Sequence, residues 1–183
     1  MKKWVYKVNS RQPPTEKKAR AQAGDDGGTI SRRAPAARGW HFDDYFGSRR
    51  RTDARMGGDQ YIRSPQSWQR LRQVRKGDLF LCYQSDERKI YGLARASSDG
   101  YESEPGSGRF NCVNFRPAGL RLSNPVNLAR PEHRDVFGHV GAFTVPSRGT
   151  MHALAEDEYR AIIGVLMAEN PKQAAAIRAF VKT

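Results

Sequence analysis

Hydrophobic positions follow a period near two in some stretches and near three and a half in others, and one long stretch keeps neither. Trp4-Val5-Tyr6-Lys7-Val8 is β-branched and aromatic with partial alternation, which predicts a strand ended by Asn9-Ser10. Residues 11–38 are rich in Pro, Lys, Arg, Ala and Gly, with Ile30 their only large aliphatic. Such a segment buries too little surface to offset its ordering entropy, so it is expected to be a flexible basic insertion. Trp40, Phe42, Tyr45 and Phe46 then predict a packed short helix or turn.

A helix start is expected at Ser64, an N-cap candidate, with Pro65 at the first helical position, where its missing N–H costs nothing. Trp68, Leu71 and Val74 give it one apolar face, and Gly77 is a natural stop. Leu79-Phe80-Leu81-Cys82-Tyr83 is short and continuously apolar, as a buried central strand would be. The polar turn 85–88 leads into Ile90-Tyr91-Gly92-Leu93-Ala94, completing a hairpin. Gly92 inside that strand predicts a bulge or a close backbone approach.

Residues 97–108 read as loop, 110–115 as a strand, 119–128 as one or two short strands, and Phe143-Thr144-Val145 as the last strand. Glu156-Asp157-Glu158 suits the positive end of a helix carrying Tyr159, Ile162, Ile163, Leu166 and Met167. Asn170-Pro171 ends it and opens a second helix packing Ile177, Phe180 and Val181. The sum is an α+β chain, a small mixed β-barrel of five to six strands flanked by helices. There is no βαβ alternation, which disfavours a dinucleotide fold.

Composition adds a partner class. The 183 residues are 38% hydrophobic, enough for one core with part of the chain outside it. Net charge is +13, concentrated in residues 1–58, which hold 14 Lys/Arg against 6 Asp/Glu. A basic chain attracts polyanions, but phosphate contacts alone give non-specific binding, so any selectivity needs a shaped site. Cys82 and Cys112 sit in apolar runs and form no CxxC pair, so buried free thiols and a cytoplasmic location are expected, without a zinc site. The opening Met1–Val8 lacks the apolar core of a secretion signal, and no apolar run reaches the ~20 residues of a membrane span.

The order of motifs resembles the EVE domain, a member of the PUA-like group that includes the YTH readers. Trp4–Val8 resembles the family's first strand, Tyr61-Ile62-Arg63-Ser64 its Gly-Val-Arg-Asn segment before the first helix, and Lys76-Gly77-Asp78-Leu79 its Gly-Asp step into the central strand. Leu81–Ser85, Ile90–Ala94 and Arg148-Gly149-Thr150 resemble its Phe-Tyr-His-Ser, Ile-Val-Gly-Ile-Ala and closing loop. The likeness spans residues 1–10 and about 57–167, and implies that the whole of 1–183 is one EVE/PUA-like domain with 11–38 inserted. Ser64 departs from the family's Asn, offering a base edge a hydroxyl in place of an amide.

The resemblance implies a pocket that holds one flipped, modified base, such as methylated or hydroxymethylated cytosine. Flipping costs a few kcal/mol, which aromatic stacking at roughly 1–3 kcal/mol per base and backbone contacts can offset. The candidate base-binding residues are Asn9, Trp40, Tyr61, Ile62, Arg63, Ser64, Trp68 and Tyr83. Candidate phosphate contacts are Lys7, Arg32, Arg33, Arg49, Arg50, Arg51 and Arg148. Each has a plainer alternative: Trp68 and Tyr83 as core, Ser64 as a helix cap, Asn9 as a turn residue, Arg63 in a surface ion pair, the arginine runs as solvated faces.

Catalysis has little support. His41, His133, His139 and His152 are scattered, and no metal-ligand, nucleophile-elbow or P-loop spacing occurs. The chain is read as a non-enzymatic binder of nucleic acid, DNA ahead of RNA, without cofactor, metal or membrane partner. A separate nuclease or other effector would be needed for any cutting. The alternatives are an RNA-binding PUA-like protein and an enzyme acting on a nucleotide or RNA.

Overall fold

The computed structural model describes residues 1–9, 41–47, 53–58, 61–117, 119–144 and 150–182. The flexible insertion expected at 11–38 lies outside them, as do Trp40, Arg32, Arg33, Arg49, Arg50, Arg51 and Arg148.

The continuously apolar run is the middle strand of a five-stranded sheet. β1 (Lys3–Val8), β2 (Ala54–Gly57), β3 (Leu79–Gln84), β4 (Lys89–Arg95), β5 (Tyr101–Glu102), β6 (Phe110–Phe115), β7 (Leu120–Asn127) and β8 (Met151–Ala153) form two sheets, ordered β7-β4-β3-β1-β8 and β2-β6-β5. β3 is buried along its whole length because both its faces are covered. β1 runs parallel to β3, pairing Trp4 with Phe80 and Lys7 with Tyr83. A parallel pair needs a long crossover, here carrying helix α1 (Phe42–Gly47), β2 and helix α2 (Pro65–Leu71). Then follow α3 (Arg134–Phe137), α4 (Gly141–Thr144), α5 (Glu156–Glu169) and α6 (Ala174–Lys182).

Side chains alternate across the large sheet and build two cores. Trp4, Tyr6, Phe80 and Cys82 point into the space between the sheets, joining Phe42, Tyr45 and Phe115. Val5, Leu79, Leu81 and Tyr83 point the other way, against Ile162, Leu166 and Ile177 of α5 and α6.

The expected barrel does not close. Only an isolated bridge, Ala96 to Phe115, joins the two sheets among the described residues. Elsewhere the gap is filled by rings, with Phe80 and Phe115 4.7 Å apart and Tyr6 and Phe115 5.7 Å apart. The α+β class holds, with eight strands among the described residues rather than five to six. β2, β5 and β8 are two to four residues long, too short to display a period.

Two further expectations are corrected. Phe143-Thr144 belongs to helix α4, and Val145 lies outside the described residues. The Phe143 ring packs against Tyr83 and Phe137, a setting that three apolar residues cannot announce. Helix α2 ends at Leu71 rather than near Gly77. The one or two strands expected within 119–128 are one, β7, and its Pro125 is tolerated because β7 is an edge. Asn170 and Gln173 cover that edge by hydrogen-bonding to Asn124, Ser123 and Arg121.

Gly92 answers its expectation. The β4–β7 register shifts beside it, and a Cβ there would lie 2.3 Å from Leu120 O and 2.5 Å from the Phe46 ring. In the Gly-Asp step, Asp78 is buried and accepts hydrogen bonds from the backbone N–H groups of Lys2 and Arg75 and from Trp4 Nε1. It ties the start of β1 to the start of β3.

Candidate nucleic-acid interface

The end of the molecule opposite Asp78 gathers several of the residues picked out from the sequence. Gly58 O accepts from the N–H groups of Tyr61 and Ile62, at 3.0 and 2.9 Å, folding that segment back on itself. Ile62 is then buried in the inter-sheet core, while Tyr61 is left 45% exposed. Ile62 O accepts from Trp68 Nε1 at 2.9 Å, which fixes the indole half-buried against the same core.

Ser64 is the N-cap of α2, its Oγ accepting from Ser67 N–H at 3.2 Å, with Pro65 following as the spacing requires. Ser67 is buried, and its Oγ accepts from Thr150 N–H at 3.0 Å. Thr150 O in turn accepts from Lys7 N–H at 2.7 Å. One hydrogen-bonded chain thus joins the end of β1, the residue before β8 and the start of α2.

Charge collects at the same place. Arg70 Nη1 donates to Met151 O and lies 3.4 Å from His152 Nδ1. Burial, and then the nearby Arg70, hold the Lys7 ammonium below its ordinary pKa. Two cations are therefore held near each other against their own repulsion. Arg63, next to Ser64 in sequence, is exposed, and Asn9 follows β1, partly buried.

Tyr83 does not join Tyr61. It is buried on the opposite face of the sheet, its ring 5.0 Å from Phe143 and 6.0 Å from Lys7 Nζ. Burial pushes its phenol up, and Arg88, which hydrogen-bonds it, pulls it back. Tyr61 and Ile62 lie on the Tyr6 side, where burial and then Cys112, Cys82 and Tyr61 raise the Tyr6 phenol. Tyr61, Ile62, Ser64, Trp68 and Lys7 are thus brought to one end of the fold, with Tyr61 and Tyr83 flanking it from opposite faces. Sequence reasoning missed Ser67, Arg70 and His152. Arg70 was legible only as one of several arginines off the apolar face of α2.

No protein-family model matches the sequence, and no curated protein is similar enough in sequence to count as a relative. Solved structures are similar over nearly the whole chain. A protein from Agrobacterium tumefaciens superposes with TM-score 0.59 at 16% identity, covering 91% of this chain and 93% of that one. Human THYN1, in complex with DNA containing 5-methylcytosine, gives TM-score 0.60 at 13% identity over 91% of this chain and 98% of that one. The DUF55 domain of human thymocyte nuclear protein 1 gives 0.57 at 15% identity over 89% and 97%.

The fold is that of an EVE/PUA-like domain. In this EVE-type frame the residues matched to the Gly-Val-Arg-Asn segment stand at the N-terminus of α2, as the resemblance implied. Among the described residues, no helix is long and apolar enough to cross a membrane, and no three His, Cys, Asp or Glu side chains cluster to hold a metal.

Proposed function

We propose that this domain binds nucleic acid at the end formed by Lys7, Tyr61, Ser64 and Arg70, and that it reads a modified base there, in DNA ahead of RNA. The observation that carries the reading is the convergence of an exposed ring, a helix N-terminus and two cations, on a fold shared with a protein captured on 5-methylcytosine DNA. Tyr61 is the stacking surface, Lys7 and Arg70 face the phosphate backbone, and Trp68 holds the segment in place. The role is binding rather than catalysis. The hydroxyls of Ser64 and Ser67 are engaged in capping and in holding Thr150, not poised beside a base for attack. A cutting step would fall to a separate effector protein.

The test is titration of matched duplexes, with and without 5-methylcytosine, at ~0.15 M salt, where exposed charge contacts beyond about 8 Å are screened. Modified DNA is expected to bind ~10-fold tighter, a difference of about 1.4 kcal/mol. Equal affinities would sink base reading and leave a general nucleic-acid binder. A competing RNA of the same sequence that displaces the DNA would move the assignment to RNA. Tyr61→Ala should remove the discrimination, while Arg70→Ala should weaken both duplexes alike and lower the salt dependence.

A further inference from the structure

A second basic feature lies at the other end of the β1–β3 pair. Arg95 ends β4 and pairs with Leu79, the first residue of β3, whereas Lys7 pairs with Tyr83 near its last. A six-residue strand at about 3.3 Å per residue puts the two ends roughly 17 Å apart. Here an open cavity of about 640 Å³ is lined by Lys76, Arg95, Arg116, Ser97, Asp53 and the Phe180 ring, among others.

Its charges are unbalanced. Lys76 and Arg116 are exposed and make no ion pair among the described residues, and Asp53 is the one carboxylate in the lining. Arg95 is buried and anchored, its Nη1 donating to Gly77 O at 2.9 Å and its Nη2 to Phe180 O, with the guanidinium 5.4 Å from the Phe180 ring. Burial, followed by Arg116, holds Arg95 below its usual pKa, so the two guanidinium groups stand close enough to repel. Ser97 Oγ is buried without a hydrogen-bond partner among the described residues, a state that ordinarily costs stability. Lys76 and Arg116, without an ion pair among the described residues, and the Ser97 hydroxyl suit an anion, and the Phe180 ring beside them suits a flat apolar group.

We propose that this cavity is a second site, for a nucleotide unit, with its phosphate between Lys76 and Arg116 and its ring against Phe180. The volume is far larger than a phosphate needs and falls within the roughly 300–1,000 Å³ of small-molecule sites. Arg95 positions the Phe180 wall and adds field, while Lys76 and Arg116 make the contacts. The source is a free mononucleotide or one nucleotide of a bound strand, since both present the same group. The site does not depend on the base-reading end, and either can fail alone.

The test uses the full chain and the double variant Lys76→Ala/Arg116→Ala, whose side chains are exposed and outside the core. Calorimetry with adenosine 5′-monophosphate, inorganic phosphate and an unmodified single-stranded oligonucleotide separates the sources. Mononucleotide binding that falls ~10-fold in the double variant supports the site and a free ligand. Oligonucleotide binding whose salt slope drops by about 1–2 in the variant, with the mononucleotide silent, supports the site and a strand as its source. No response of either probe to the substitutions overturns it, as does inorganic phosphate binding as tightly as the nucleotide.

Discussion

The two faces of the five-stranded sheet are built from different materials. Between the sheets lie rings that carry polar handles: Trp4 Nε1 donates to Asp78, Tyr45 Oη to Arg116 O, and Trp68 Nε1 to Ile62 O. On the helix face the packing is mainly aliphatic, with Val5, Leu79, Leu81, Ile90 and Leu93 against Ile162, Leu166 and Ile177. Apolar burial is non-directional, whereas a buried N–H or O–H must find its acceptor. The aromatic face therefore fixes orientation as well as position, and the segment that presents Tyr61 and Ser64 is attached to that face. The helix face supplies stability with few directional constraints.

The largest blow to this contrast should come from Phe80→Ala, at the centre of the ring cluster. It is expected to cost about 3–5 kcal/mol by chemical denaturation. A loss no greater than that of Ile162→Val would mean the rings are not the organising core. Asp78→Ala comes next, stranding the buried Trp4 indole N–H at about 1–3 kcal/mol and freeing the part-buried N–H groups of Lys2 and Arg75. Its amide exchange should rise at both the β1 and β3 starts, whereas a change confined to one strand would contradict the tie. Ile162→Val on the helix face should cost only ~0.5–1.5 kcal/mol and leave nucleic-acid binding untouched. Altered binding would break the division of labour between the faces.

The smallest effect concerns Lys7. Its folded pKa lies below the unfolded value, so the penalty on its charged form is complete at neutral pH and disappears as pH rises through the folded pKa. Lys7→Met should therefore raise the melting temperature at pH 7. That gain should vanish above the lysine's ordinary pKa of 10.5, while affinity for DNA falls at neutral pH. A variant that is less stable at pH 7 would show Lys7 to be a packing residue rather than a cation held ready for phosphate.

Much of the frame was legible because it is written locally. Ser64-Pro65 started α2 as capping chemistry demands, and Gly92 marked a place where a side chain has no room. The candidate site was legible in part. Tyr61 was separable from Ile62 only after the fold-back onto Gly58 O exposed one and buried the other. Tyr83 sits one residue from Cys82 in an unbroken apolar run, so nothing in the pattern indicates its face. Ser67 resembles any polar residue in a first helical turn until Thr150, 83 positions away, donates to it.

By itself the sequence determined where the long strands and helices lie, which strand is central, and that the chain is a cation in search of an anion. Periodicity, caps and charge act over a few neighbouring residues and need no distant partner. The tertiary structure alone decided that the sheets stay open, that a three-residue strand completes the larger one, and that Lys7, Ser64 and Arg70 share one end while Tyr83 is buried on the face opposite Tyr61. Those outcomes depend on pairings between residues far apart in the chain, where register and ring packing select the face and no local pattern encodes the choice.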